Sequence, residues 1–119
     1  MIIAGIGCRR DCPAEDIVAI VRRAQDSAAY RVDALAAPAF KQGEPGLHDA
    51  ARTLGVGLSF VAAAALAEVQ HLCPTRSHTP ARHVGVASVA EASAIAASGG
   101  KLLLPRIANG RATCALAAT

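Results

Sequence analysis

The order of elements in the first thirty-six residues limits the fold most. An apolar run, Ile2 to Ile6, has the length of a short buried strand. Pro13 suits the first turn of a helix, and Glu15 and Asp16 place negative charge near its N-terminus. Ile17, Ile20, Val21 and Ala24 then recur at helical spacing, with Arg22, Arg23 and Gln25 turned outward. This helix should fade near Ala28 or Ala29. Arg31 to Ala36 alternates enough to form a second strand.

The rest of the chain keeps this alternation. "PAFKQGEPG", Pro38 to Gly46, reads as a loop by its proline and glycine content. Glu44-Pro45 resembles a helix start, with Leu47, Ala50, Ala51 and Leu54 on one face and Gly55 as its C-cap. Val56 to Phe60 reads as a strand and Ala62 to Leu72 as a helix. Cys73 to Arg82 is polar, carries Pro74 and Pro80, and reads as a flexible loop. Ser88 and Glu91 have capping-box spacing, so a helix should begin there and end at Gly99-Gly100. Leu102 to Leu104 and Ala112 to Ala117 are the last strands, an antiparallel pair turned at Asn109-Gly110. The expectation is an α/β three-layer sandwich, with a central mixed, mostly parallel sheet of about five strands and helices on both faces.

At 119 residues the chain reads as one domain, residues 1–119, able to bury a core without disulfides or metals. One Tyr, two Phe and no Trp argue against single-stranded nucleic acid as a partner, because that mode relies on aromatic stacking. The net charge of +3 is mild and no long basic block occurs, which fits a small anionic ligand without requiring one. No positive region precedes the apolar N-terminus, so no signal peptide is expected. The longest run without charge, 53–67, falls short of the ~20 residues that span a bilayer. A cytoplasmic protein without membrane or nucleic-acid partners is the expectation. Cys8 and Cys12 have C-x-x-x-C spacing rather than C-x-x-C, and with Cys73 and Cys114 they read as reduced thiols. His71, Ser77-His78 and Arg82-His83 match no zinc pattern, so neither a metal nor a cofactor is expected. The polar loop reads more readily as a lid over a ligand.

"GIGCRRDCPAED", Gly5 to Asp16, holds more chemistry than a strand-to-helix turn requires. Gly5 and Gly7 could let backbone N–H groups approach an anion, or could simply make a tight turn. Adjacent Arg9 and Arg10 could clamp carboxylates, or form a solvated basic turn. Cys8 beside them is either a small buried residue or a thiol made reactive by positive neighbours. The third glycine of a dinucleotide fingerprint is missing, since position 10 is arginine. Lys41 and Glu44 share a loop at the expected carboxyl edge of the second strand, where open α/β sheets bind ligands. For Glu44 a helix-start charge is the plainer reading, and for Ser88 and Glu91 it is helix capping.

"GIGCRR", "FKQGEPGL" and "VGVASVAEASA", in this order, resemble the CobE family, whose domain also forms the C-terminal part of the cobalamin biosynthesis protein CbiG. The resemblance spans nearly the whole chain and implies a role in building the corrin ring. Full-length CbiG-type proteins open a lactone in a cobalt-precorrin and release a two-carbon fragment, using additional N-terminal domains. The chain has no room for these and looks like the stand-alone form. Precorrin side chains are acetates and propionates. By carry-over, Gly5, Gly7, Cys8, Arg9 and Arg10 form one wall of a ligand site, Lys41 and Glu44 a second, and Ser88 and Glu91 a third. Two positions depart from the family. Asp11 stands where a glycine or small polar residue is usual, and Arg106 stands where a lysine is usual.

The leading expectation is therefore a protein of cobalamin biosynthesis that binds, and could help process, a precorrin intermediate through its carboxylate side chains. If it is an enzyme, the step is hydrolase-like on a precorrin lactone, with Glu44 or Glu91 as general acid or base. The alternatives are a nucleotide- or phosphate-binding domain and a non-catalytic module docking on another pathway enzyme. A homodimer is possible for so alanine-rich a chain.

Overall fold

The computed structural model describes residues 1–77 and 86–119. Strand β1 (Ile2–Cys8) leads into α1 (Ala14–Ala28), β2 (Ala34–Pro38), α2 (Pro45–Leu54), β3 (Gly57–Val61) and α3 (Ala63–Glu68). Two-residue strands β4 (Arg76–Ser77) and β5 (Val86–Ala87) pair with each other, and α4 (Val89–Ser98), β6 (Lys101–Ala108) and β7 (Ala112–Ala118) follow. His78, Arg82 and His83, with the second half of the expected flexible loop, lie outside the described residues.

The main sheet has the order β3-β2-β1-β7-β6. β1, β2 and β3 are parallel neighbours, whereas β7 runs antiparallel to both β1 and β6. Four of its five strands thus point the same way, and the sheet is mixed as expected. Strand alternation sorts the side chains between two layers. Ala4, Ile6, Leu35, Ala37, Cys114 and Leu116 pack with Ile17, Ile20 and Val21 of α1 and Leu47 and Ala50 of α2. On the other face Ala92, Ala94 and Ile95 of α4 pack with Ala117 and Cys73. The small residues of α4 let it lie close. A Cβ on Gly5 would overlap the backbone of Ala90 and Ala94, so β1 and α4 meet at a glycine.

Several boundaries differ from the sequence expectation. β1 runs two residues further, because Gly7 and Cys8 pair with Thr113 and Ala112 of β7. Gly5 and Gly7 are therefore strand residues rather than an anion-binding turn. The turn itself is Arg9 to Cys12, closed by the Cys12 amide donating to the Arg9 carbonyl at 3.2 Å. β2 starts at Ala34 instead of Arg31 and ends on Pro38, paired with Val61. Residues 31–33 are held outside the strand, with the Val32 amide donating to Gln25 Oε1 at 2.8 Å. The third helix is shorter than Ala62 to Leu72, giving way to a 3₁₀ turn over Gln70–Leu72. β6 runs Lys101–Ala108 and so continues through Pro105, past the Leu104 at which the sequence reading ended the strand. A proline fits there because β6 is an edge strand and its ladder with β7 slips between Leu104 and Ile107. Gly55 caps α2 with φ 70°, and the β6–β7 hairpin turns at Asn109-Gly110, both as the sequence indicated.

Candidate functional site

A cleft of about 640 Å³ opens outside the carboxyl ends of β1 and β2. That is where open α/β sheets bind ligands, and the volume suits a sizeable small molecule. Gly7, Cys8 and Arg9 come from the end of β1, and Pro38, Phe40 and Lys41 from the end of β2. Ser88 and Val89 reach it from the start of α4. Arg106, Arg111 and Thr113 come from the β6–β7 hairpin. Among the described residues, its lining holds four cationic side chains, Arg9, Lys41, Arg106 and Arg111, and no acidic one. Such an arrangement attracts a ligand bearing several anionic groups.

Local structure explains why the cations gather there. The Arg9 amide donates to the Arg111 carbonyl at 3.2 Å, tying the two arginine-bearing segments together. Asp11 sits in the left-handed region with φ 60°, a conformation that aspartate tolerates better than most residues. This accounts for a glycine or small polar residue being usual at that place. The Asp11 side chain is outside the cleft lining. In the hairpin, Asn109 Oδ1 accepts from the amides of Arg111 at 3.1 Å and Ala112 at 2.9 Å. Asn109 Nδ2 donates to the Asp16 carbonyl at 3.0 Å, and Arg23 donates to the Ala108 carbonyl at 3.0 Å. The hairpin tip is thereby docked on α1.

Gly7, Cys8, Arg9, Lys41, Ser88 and Arg106 are the expected ligand residues that line the cleft. Gly5 is buried under α4, and Arg10 is exposed outside the lining. Glu44 also lies outside it, and its Oε2 accepts the Asp11 amide at 2.8 Å. Glu91 is 0 % exposed. Its Oε1 accepts the Thr75 amide at 2.9 Å, and its Oε2 accepts the Thr75 hydroxyl at 2.9 Å and the Arg106 amide at 3.0 Å. The carboxylate thereby holds the backbone at Thr75 and Arg106 and lies outside the cleft lining. Half of the expected capping box forms, with Ser88 Oγ accepting the Glu91 amide at 3.3 Å. The return bond from the glutamate is replaced by its contacts to Thr75 and Arg106. Burial raises the Cys8 thiol pKa, and nearby Lys41 offsets this only in part. Cys8 is thus a half-buried residue of the cleft lining whose thiol is held toward its neutral form. Cys8, Cys12 and Cys114 are free thiols.

The sequence reading missed Arg111 and Phe40. Arg111 follows the Asn-Gly turn of a hairpin whose register places that turn beside the end of β1, a fact of pairing rather than of local pattern. Phe40 is 72 % exposed at the cleft, unusual for so large an apolar side chain. Its position next to Lys41 was the available signal.

The family described as Cobalamin synthesis G C-terminus matches residues 2–117. The chain belongs to that family. Among its relatives, a cobalt-precorrin-5A hydrolase of Salmonella typhimurium (strain LT2) is 36 % identical over 107 residues. The match covers 86 % of this chain but 30 % of the relative, so the chain spans under a third of that protein's length. The crystal structure of CobE, a protein from the cobalamin (vitamin B12) biosynthetic pathway, superposes with a TM-score of 0.88 and 37 % identity, covering 98 % of this chain and 89 % of that one. Cobalamin biosynthesis protein chiG from Agrobacterium tumefaciens str. C58 gives a TM-score of 0.81 and 38 % identity, covering 100 % and 98 %. The CobE and CbiG C-terminal resemblance read from the sequence is thus correct, and the protein is one of a cobalamin biosynthesis family. Among the described residues of this family member, no helix is long and apolar enough to cross a membrane.

Proposed function

We propose that this protein binds a corrin-ring intermediate in the cleft, gripping the carboxylates around the ring's edge. The observation carrying this reading is that Arg9, Lys41, Arg106 and Arg111 line the cleft and that no acidic residue is among its described lining residues. Guanidinium groups pair with carboxylates bidentately, so several of them around one cavity suit a polycarboxylate. Phe40, Pro38 and Val89 give the same cavity apolar surface for the ring body. The relative's name, cobalt-precorrin-5A hydrolase, suggests a lactone-opening alternative. Neither Glu44 nor Glu91 lines the cleft, which favours holding the intermediate over hydrolysing it.

The test is a visible-absorption titration of the protein with hydrogenobyrinic acid, repeated on Arg9→Gln with Arg106→Gln. Saturable binding that weakens at least tenfold in the double variant supports the reading. Absence of a spectral shift with the wild-type protein, or equal binding by the variant, would sink it. Products accumulating with time would replace carriage by catalysis.

A further inference from the structure

The geometry points to Glu91 as a positioning residue that sets Arg106 onto the ligand without touching the ligand itself. This rests on the corrinoid-binding reading and extends it to a residue buried behind the cleft. Three independent observations carry it. First, the ladder between β6 and β7 pairs Leu104 with Leu116 and Ile107 with Cys114, so Pro105 and Arg106 fall in a register shift. Such irregularities re-aim side chains, and they recur beside binding sites. Second, the Arg106 amide, which has left the ladder, donates to Glu91 Oε2 at 3.0 Å. A fully buried carboxylate has thus replaced the strand partner. Third, the Arg106 side chain is exposed and lines the cleft.

Glu91 is itself fixed from two sides. The Thr75 amide and hydroxyl both donate to it, and the Ser88 amide donates to the Thr75 carbonyl at 3.0 Å. Its own amide donates to Ser88 Oγ. Thr75, Ser88, Glu91 and Arg106 therefore form one hydrogen-bonded unit, two members of which, Ser88 and Arg106, face the cleft. A carboxylate suits this unit because every partner is a donor and it accepts from all of them. A glutamine of the same shape would turn an N–H toward one of those donors.

The experiment is a double-mutant cycle on binding of hydrogenobyrinic acid, with Glu91→Gln, Arg106→Gln and both together. Arg106→Gln should weaken binding roughly tenfold, the loss of one charge-assisted contact. Glu91→Gln should weaken it by a similar factor in the wild-type background and hardly at all in the Arg106→Gln background. A merely structural glutamate would weaken binding equally in both backgrounds, and that result overturns the inference while leaving the binding reading intact. Failure of the wild-type protein to bind overturns both. Should Glu91→Gln fail to fold, amide hydrogen exchange on the wild-type protein decides instead. The Arg106 amide should be protected far better than the Asn109 side-chain turn beside it permits for Arg111, despite lying on an edge strand. Equal exchange at Arg106 and Arg111 would refute the tether.

Discussion

Two glutamates, Glu44 and Glu91, do the same mechanical work at opposite sides of the cleft under opposite conditions. Glu44 accepts the Asp11 amide and steadies the turn that carries Arg9. Glu91 accepts the Arg106 amide and steadies the irregular stretch of β6. Glu44 is partly exposed, whereas Glu91 is 0 % exposed. Water can replace Glu44 as an acceptor more readily than it can replace Glu91, whose carboxylate is fully buried between part-buried donors. The comparison teaches that a carboxylate near a cationic cleft need not act on the ligand, and that burial decides how much its removal costs.

The largest effect should follow Glu91→Ala. It would leave the Thr75 amide, the Thr75 hydroxyl and the Arg106 amide without their shared acceptor in a part-buried site. Each buried donor left unpaired costs about 1–3 kcal/mol, so a loss of about 4 kcal/mol is expected in urea unfolding. A loss below about 1 kcal/mol would erase the contrast with Glu44. Gly5→Ala comes next, at about 3 kcal/mol, because its Cβ would overlap backbone of α4 that no side-chain rotation can clear. Gly5 lies against α4 and outside the cleft lining, so the substitution should lower stability without changing which cation variants matter.

A third effect separates core from cleft by pH. Burial pushes the Cys114 thiol up to about 12 from an ordinary value of 9.0. The folded state therefore keeps the neutral thiol while the unfolded chain ionises. Its stabilisation is complete below pH 9 and is lost as pH rises toward about 12, at up to about 1.4 kcal/mol per pH unit. Cys8 and Cys12 shift in the same direction. Unfolding titrated between pH 8 and 10.5 should show the decline, and Cys114→Ala should flatten most of it. An unchanged slope in that variant would assign the dependence elsewhere.

The layered fold was legible because it rests on local periodicity, as in Ile17, Ile20, Val21 and Ala24 of α1. Burial and turns are written in short stretches of sequence. The cleft was half legible. Arg9 and Lys41 follow strands whose carboxyl ends point to a site by a general rule. Arg111 joins them only through the β1–β7 register, and Glu91 turns from a candidate acid into a brace only because Thr75 and Arg106 converge on it. Pairing between distant segments made those assignments. Gly5 illustrates the same limit, since a glycine before a helix reads as a turn until α4 is found lying on it.

Removing one hairpin arginine tests the ligand side of the comparison. Arg111→Gln should weaken hydrogenobyrinic acid binding roughly tenfold and leave stability within about 0.5 kcal/mol, for its ion pair with Asp16 is long, at 3.8 Å, and exposed. Raising the salt concentration should narrow the affinity gap between this variant and the wild type.

The smallest effect belongs to Glu44→Ala. The Asp11 amide loses its acceptor at 2.8 Å, but this bond lies at the surface and solvent can take the carboxylate's place. A net loss of about 0.5–1 kcal/mol follows from the usual worth of one such bond. Glu44 also precedes Pro45 as the N-cap residue of α2 without any side-chain capping bond, so the helix start should not suffer. Asp11 can keep its left-handed conformation without help, and Arg9 remains tied to Arg111 through the backbone. Affinity for hydrogenobyrinic acid should therefore change less than twofold, and urea unfolding should register only the small loss. An effect on affinity as large as that of Arg106→Gln would mean that the turn depends on its carboxylate as β6 depends on Glu91. The two glutamates would then be equivalent despite their difference in burial.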